Sequence, residues 1–367
     1  GAFVSRDGGK TIVRLRRGLP ELALGSTAFP GVRELIADRR GRILAATSQG
    51  IWASTDDGFT WSALPGRGMH QNPVAFLRLD PHDRRHLLVR SFDDVWSSRG
   101  GFATFARVPA LSNRELAVLE FDPFTPERIV AVTSRALYGS RRLFESRDGG
   151  ATWQPLGLPP AETSAVAFVN PHVLVAAAGA TLQRSRDGGM TWRRTFVGTP
   201  TDERGWFIFG RLLVDPLRPN VVYATGRDCY LHAGCPPTLY RSDDGGISWR
   251  LWRAGVAVAQ PDPSRPGVVY VPSGADLLRT RDDGATFQTI GRVSSGFSAL
   301  VVEGDGTLVA ATGQGVLRSH DDGRTWAVLA PGLPNGGFVL FNDLVHDGDG
   351  SFYAAVSGGG LWRVDDP

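Results

Sequence analysis

The sequence predicts an all-β protein assembled from one four-strand unit used many times over. Three observations carry this. A turn motif recurs along the whole chain, pairs of apolar strands split by an Asp-Pro turn precede several copies of it, and no segment shows a helical apolar period. With 46 Gly and 24 Pro among 367 residues, about one residue in five is a turn former, as many short strands require.

The motif reads Ser5-Arg-Asp7-Gly-Gly9-Lys-Thr11-Ile12 at its first appearance and Ser54-Thr-Asp56-Asp-Gly58-Phe-Thr60-Trp61 at its second. It returns around Asp148, Asp187, Asp244, Asp282 and Asp321, closing on Trp153, Trp192, Trp249, Phe287 and Trp326. A degenerate copy, Ser97-Ser-Arg99-Gly-Gly101, has Arg99 where the others have Asp. The opening Ser/Thr positions 5, 54, 97, 146, 185, 242, 280 and 319 are spaced by 49, 43, 49, 39, 57, 38 and 39 residues. The pattern has a mechanism as a hairpin turn. The Asp accepts backbone N–H groups within the turn. Gly at the fifth position supplies positive φ, and the closing aromatic packs between sheets.

The rest of the unit is regular as well. Leu212–Val214, then Asp215-Pro216, then Val221–Ala224 exemplifies strand, turn and strand, and Asp80-Pro81, Asp122-Pro123 and Asp262-Pro263 repeat the turn. Each unit therefore holds four antiparallel strands in 38 to 57 residues, the size of a β-propeller blade. The chain opens on a third strand and ends on two strands and a third, so residues 1–15 and 338–364 are expected to share one blade. Joining them hides the open sheet edges. The expectation is a single domain, 1–367, with eight blades closed into a ring. Seven blades is the alternative, because the third motif is degenerate.

Composition excludes several classes. A net charge of +3 is too small for a protein that wraps nucleic acid, and no apolar run approaches the about 18 residues of a membrane span. Lys10 is the only lysine among 40 Lys and Arg residues, a bias that a GC-rich coding sequence produces unaided. Cys229 and Cys235 bracket a five-residue loop and suit a local disulfide, which would persist in an oxidising compartment: periplasm, cell surface or medium. No leader is visible at Gly1; as the chain opens inside a unit, one is expected to have been removed.

The pattern Ser-x-Asp-x-Gly-x-Thr-Trp resembles that of the Asp-box (BNR) repeat β-propellers, over nearly the whole chain. The resemblance implies that Asp7, Asp56, Asp148, Asp187, Asp244, Asp282 and Asp321 are structural residues of peripheral turns. The clustered Asp and Gly lack the alternating oxygen ligands and closing Glu of a calcium loop, so no metal is expected, and no cofactor either. The sialidase Phe-Arg-Ile-Pro-like motif is absent. One propeller is too little for the two-propeller cleft of xyloglucanases, and the cysteine-rich module of sortilin-type receptors is missing. The photosystem II assembly-factor type fits best: an exported single propeller that binds partner proteins without catalysis.

The 57-residue interval marks the blade where function is expected. It carries Asp202, Glu203, Arg204 and Trp206 in one enlarged loop, and Arg227, Asp228, His232 and both cysteines in another. Trp206 is the one Trp outside the repeat pattern, and a loop Trp beside Arg204 has the composition of an interface anchor. A second candidate is the loop with Arg135, Tyr138, Arg141 and Arg142, whose guanidinium forks suit an acidic partner. Arg14, Arg16 and Arg17 form a similar cluster. Acids that a glycosidase would need are offered by Glu21, Asp93, Asp94, Glu115, Glu162, Asp202, Glu203, Asp228 and Asp276, with Asp202 or Glu203 against Asp228 the pair to inspect. The sequence thus reads as a non-catalytic scaffold for another protein, in a membrane or envelope complex, without inserting into the membrane or binding nucleic acid. The alternative is a glycan-active propeller, a glycoside hydrolase or lectin.

Overall fold

The computed structural model describes residues 2–5, 13–15, 32–37, 43–47, 50–55, 62–63, 74–83, 85–91, 94–99, 105–111, 116–133, 143–157, 163–198, 206–229, 235–256, 258–293, 296–312, 315–328, 341–346, 351–356 and 360–365. Apart from one short 3-10 turn, Pro109–Leu111, every regular element among them is a strand. The strands form seven four-stranded sheets and one of five strands, and neighbours in each four-stranded sheet are consecutive in the chain. The chain divides into two compact units, residues 1–109 with 274–277 and 289–367, and residues 110–273 with 278–288.

Burial follows strand position. The second strands Ile129–Thr133 and Leu174–Ala178 are buried along their whole length, because side chains on both faces meet neighbouring sheets. The outermost strand Arg193–Val197 is largely exposed. In the second unit Val130, Val132 and Leu143 of one sheet pack on Val166, Phe168 and Leu174 of the next.

The Asp-Pro turns are built as the sequence predicts. Asp122 Oδ1 accepts the N–H groups of Phe124 and Thr125 at 2.8 and 3.2 Å, and Asp215 Oδ1 those of Leu217 and Arg218 at 3.0 and 3.2 Å. The second oxygen of each takes a cation: Arg128 Nη1 donates to Asp122 Oδ2 at 2.9 Å and Arg218 Nη2 to Asp215 Oδ2 at 2.9 Å. These are buried carboxylates with every oxygen occupied, as burial of a charge demands.

The end sheet departs from the four-strand rule. Its order is Val13–Leu15, Ala2–Ser5, Gly360–Asp365, Ser351–Val356, Phe341–His346, and Ala2–Ser5 runs parallel to Gly360–Asp365. Both of those strands occupy the third position of a repeat unit. Equivalent strands point the same way, so placing them side by side gives a parallel pair and a fifth strand.

Candidate functional site

Five of the repeated turns are described, and they share one hydrogen-bond scheme. The Asp Oδ1 accepts the N–H four residues on, at 2.8–2.9 Å, in Asp148, Asp187, Asp244, Asp282 and Asp321. The Oδ2 accepts the hydroxyl of that same Thr or Ser at 2.5–2.6 Å. The opening Ser or Thr hydroxyl donates back to Oδ1 at 2.7–2.8 Å and accepts the fifth-position Gly N–H at 2.7–2.8 Å. With both oxygens engaged inside the turn, these carboxylates act as braces. Asp7 and Asp56 lie outside the described residues.

Asp148, Asp187, Asp282 and Asp321 are held at about 2, below the ordinary 3.8. At Asp148, Asp282 and Asp321 the Thr hydroxyl is the leading cause; at Asp187 burial works in the opposite direction and the Thr191 hydroxyl and N–H outweigh it. A depressed folded-state value contributes stability that is complete above the unfolded value and lost as pH falls toward the folded one. The melting temperature should therefore drop between about pH 4 and pH 2. A Thr191→Val, Thr286→Val, Thr325→Val variant should lose part of that dependence. A scan of melting temperature against pH checks this, and parallel curves for both proteins would refute it.

The turns also lock sheet to sheet. The fourth-position carbonyl accepts an arginine from the preceding sheet: Arg184 Nε reaches Gly245 O at 2.8 Å, Arg241 Nη1 reaches Asp283 O at 2.8 Å and Arg128 Nη2 reaches Gly188 O at 3.0 Å. Arg184 and Arg241 immediately precede the opening Ser of their own turns. Where Glu145 holds that place, it binds Arg128 at 2.7 Å, and Arg128 makes the contact instead.

The 57-residue interval becomes a lengthened hairpin, Trp206–Val214 against Val222–Cys229, of 9 and 8 residues. Trp206 is therefore the first residue of a strand, in register with Cys229, and not a loop residue as expected. The tertiary pairing wins here because the apolar run Trp206–Phe209 continues the strand beyond the bulge between Phe209 and Arg211. Phe207 and Phe209 point inward with Phe196 and Tyr240, ring centroids 4.9–6.1 Å apart. Gly226 leaves room for this: a Cβ there would lie 2.3 Å from the Phe207 ring. The partners of Phe207 and Ile208 across the hairpin are Asp228 and Arg227. Asp228 is buried, whereas Arg227 and Ile208 are exposed. The half-buried Tyr240 phenol is pushed up by desolvation and by the Asp228 charge. Cys229 and Cys235 form the expected disulfide, and Asp228 N–H donates to Pro236 O at 3.2 Å beside it.

Of the other candidates, Arg204, Arg135, Tyr138, Arg141, Arg142, Asp202 and Glu203 lie outside the described residues. So do Arg16, Arg17, Glu21, Asp93, Glu115 and Glu162; Arg14 stands in a strand. Asp94 pairs with Arg107 at 2.6 Å and Asp276 with Arg292 at 3.5 Å. The described residues include no group of three or more His, Cys, Asp or Glu side chains placed to hold a metal ion. Sequence reasoning missed a groove of about 380 Å³ lined by Arg184, Arg186, Trp192, Arg193, Arg194 and Ile247. The signal was present as an arginine at each of four turn-flanking positions.

The described strands form repeated four-stranded antiparallel sheets in which an Asp-braced turn joins the third strand to the fourth. Residues 240–251 match the BNR/Asp-box repeat family. Among curated proteins, the chain is 31% identical over 254 residues to a xyloglucanase of Paenibacillus sp, covering 55% of this chain and 23% of that enzyme. It is 25% identical over 285 residues to the photosystem II assembly lipoprotein Ycf48 of a Synechococcus strain, covering 71% of this chain and 81% of Ycf48. The chain spans less than a third of the length of the xyloglucanases it matches. Among solved structures, an ancestral GH74 enzyme superposes with a TM-score of 0.55 at 16% identity, over 93% of this chain and 61% of that one. YCF48 bound to D1 peptide gives 0.52 at 14%, over 81% and 94%. Both share the fold.

Proposed function

We propose that this chain is a non-catalytic scaffold that binds another protein through the lengthened hairpin, in the periplasm, at the cell surface or in the medium. The observation that carries this reading is the hairpin itself: an extension past the ordinary blade length, packed rigid on four aromatic rings, closed by a disulfide, and presenting Arg227 and Ile208 outward. An exposed Arg beside an exposed apolar side chain on a rigid support is the composition of an interface anchor. Arg204 and Trp206, and separately Arg135, Tyr138, Arg141 and Arg142, are the further residues we assign to partner binding. The 71% coverage shared with a protein named for assembly supports the same reading. It takes residues 1–367 as a single eight-bladed propeller whose last blade is shared between 1–15 and 338–364. A glycan-active propeller is the second reading, favoured by the 31% identity to a xyloglucanase, with Asp202 or Glu203 and Asp228 as its acids.

The test is a pull-down from the native cell envelope with mass spectrometry. The scaffold reading expects one stoichiometric protein partner, reduced at least tenfold by Arg204→Ala with Trp206→Ala and by Arg227→Ala. Retained carbohydrate with no protein partner would transfer the assignment to the glycan reading. A partner that survives both variants would remove the hairpin as the site.

A further inference from the structure

The four arginines of the groove belong to one sheet, and the repeat supplies its own comparison. In the next sheet the places of Arg184, Arg186 and Arg193 are held by Arg241, Asp243 and Arg250. There Asp243 pairs with Arg241 at 2.5 Å and with Arg250 at 3.4 Å. In the preceding sheet Glu145 and Arg147 hold the first two places and pair at 2.9 Å. In the groove every one of these places is a cation, and Arg194 adds a fourth. Arg186, Arg193 and Arg194 are exposed and make no ion pair among the described residues. The nearby box carboxylates, Asp187 and Asp244, are already engaged by their own turns. Burial and the Arg186 charge push the Arg184 guanidinium below its ordinary value against the opposing pull of Asp244. Such crowding of like charge is relieved by an external anion.

The same margin is apolar as well as cationic. Met190 is 60% exposed, Val197 46%, Ile247 48% and Leu251 56%, all on the two turns and outer strands that flank the groove. The outer strand Arg193–Val197 does not offer a clean ladder to a peptide. Its register shifts at Thr195, and Trp249 Nε1 donates to Thr195 Oγ1 at 3.2 Å. An edge whose cations need phosphate and whose apolar side chains need a water-poor environment matches the interface of an anionic bilayer.

We propose that this margin, with Arg184, Arg186, Arg193 and Arg194 as phosphate contacts and Met190 and Ile247 as shallow apolar contacts, docks the protein peripherally on a membrane of anionic lipid. The surface lies apart from the lengthened hairpin in sequence and carries a different ligand, so it holds or fails independently of the protein-binding reading.

The test is co-sedimentation of the full chain with vesicles of phosphatidylcholine alone or mixed with phosphatidylglycerol. The proposal expects binding to the mixed vesicles only, weakening as salt is raised. The Arg186→Gln, Arg193→Gln, Arg194→Gln variant should partition about 100-fold less, with an unchanged urea midpoint because all three side chains are exposed. The matching triple Lys variant should retain most of the binding. Met190→Ser with Ile247→Ser should weaken binding while leaving its salt dependence intact. Equal binding to both vesicle types, wild-type binding by the Gln variant, or no effect of the Ser variant would each overturn the proposal. So would capture of soluble polyglutamate without vesicle binding, which would assign the groove to acidic peptides.

Discussion

Replacing Arg128 with alanine is expected to destabilise the protein by about 3–5 kcal/mol, measured as a lower urea midpoint with unchanged slope. Arg128 is buried and its guanidinium is fully used. Nε donates to Glu145 Oε1 at 2.7 Å, Nη1 to Asp122 Oδ2 at 2.9 Å and also to the Pro171 carbonyl, and Nη2 to the Gly188 carbonyl at 3.0 Å. The substitution leaves the buried Asp122 carboxylate without its cation and removes the link from this sheet to the next turn. The loss should therefore exceed that of an exposed pair such as Arg107 with Asp94, for which about 0–1 kcal/mol is the norm. Replacing Arg128, Asp122 and Glu145 together by apolar residues of similar volume should recover much of the loss, since no buried charge is then left alone. A change below about 1 kcal/mol in the single variant would show that the network contributes little to stability.

The second large effect is expected at Gly246, where alanine should cost about 2–4 kcal/mol by the same measurement. Its φ is +85°, which an L side chain resists. The space is also taken: a Cβ would stand 2.6 Å from Val175 Cγ2 of the neighbouring sheet. Gly255 provides the control. It too has positive φ, at +76°, yet a Cβ there meets nothing within 4 Å. Gly255→Ala should therefore show the conformational cost alone, about 1–2 kcal/mol. Equal losses at the two sites would mean that the neighbouring sheet yields to the added methyl.

Much of this was legible before any coordinate. The turn scheme at Asp148 and Asp187, the Asx turns at Asp122 and Asp215 and the four-strand units follow from local chemistry, in which donor and acceptor lie within four residues of each other. The Cys229–Cys235 bridge was legible for the same reason. Trp206 was misplaced because its segment's pairing with Cys229 is set across the hairpin, by a bulge and by Phe207 seated on Gly226. Asp228 and Arg227 look alike in sequence as polar neighbours. Strand alternation buries the first and exposes the second.

By itself, then, the sequence determined what repeats: strand lengths, turn chemistry and the positions where Gly, Asp and Trp are required, all interactions within one unit. Only the tertiary structure decided what the units do to one another. It set Arg184 and Arg241 onto carbonyls of the following turn, sent Arg128 to stand in where Glu145 occupies their place, and gathered four arginines into one groove, at positions where the neighbouring repeats carry their own ion pairs. The physical reason is range. A turn's hydrogen bonds close over a few residues, whereas the charge balance of a sheet edge depends on side chains brought together by strand pairing and sheet packing.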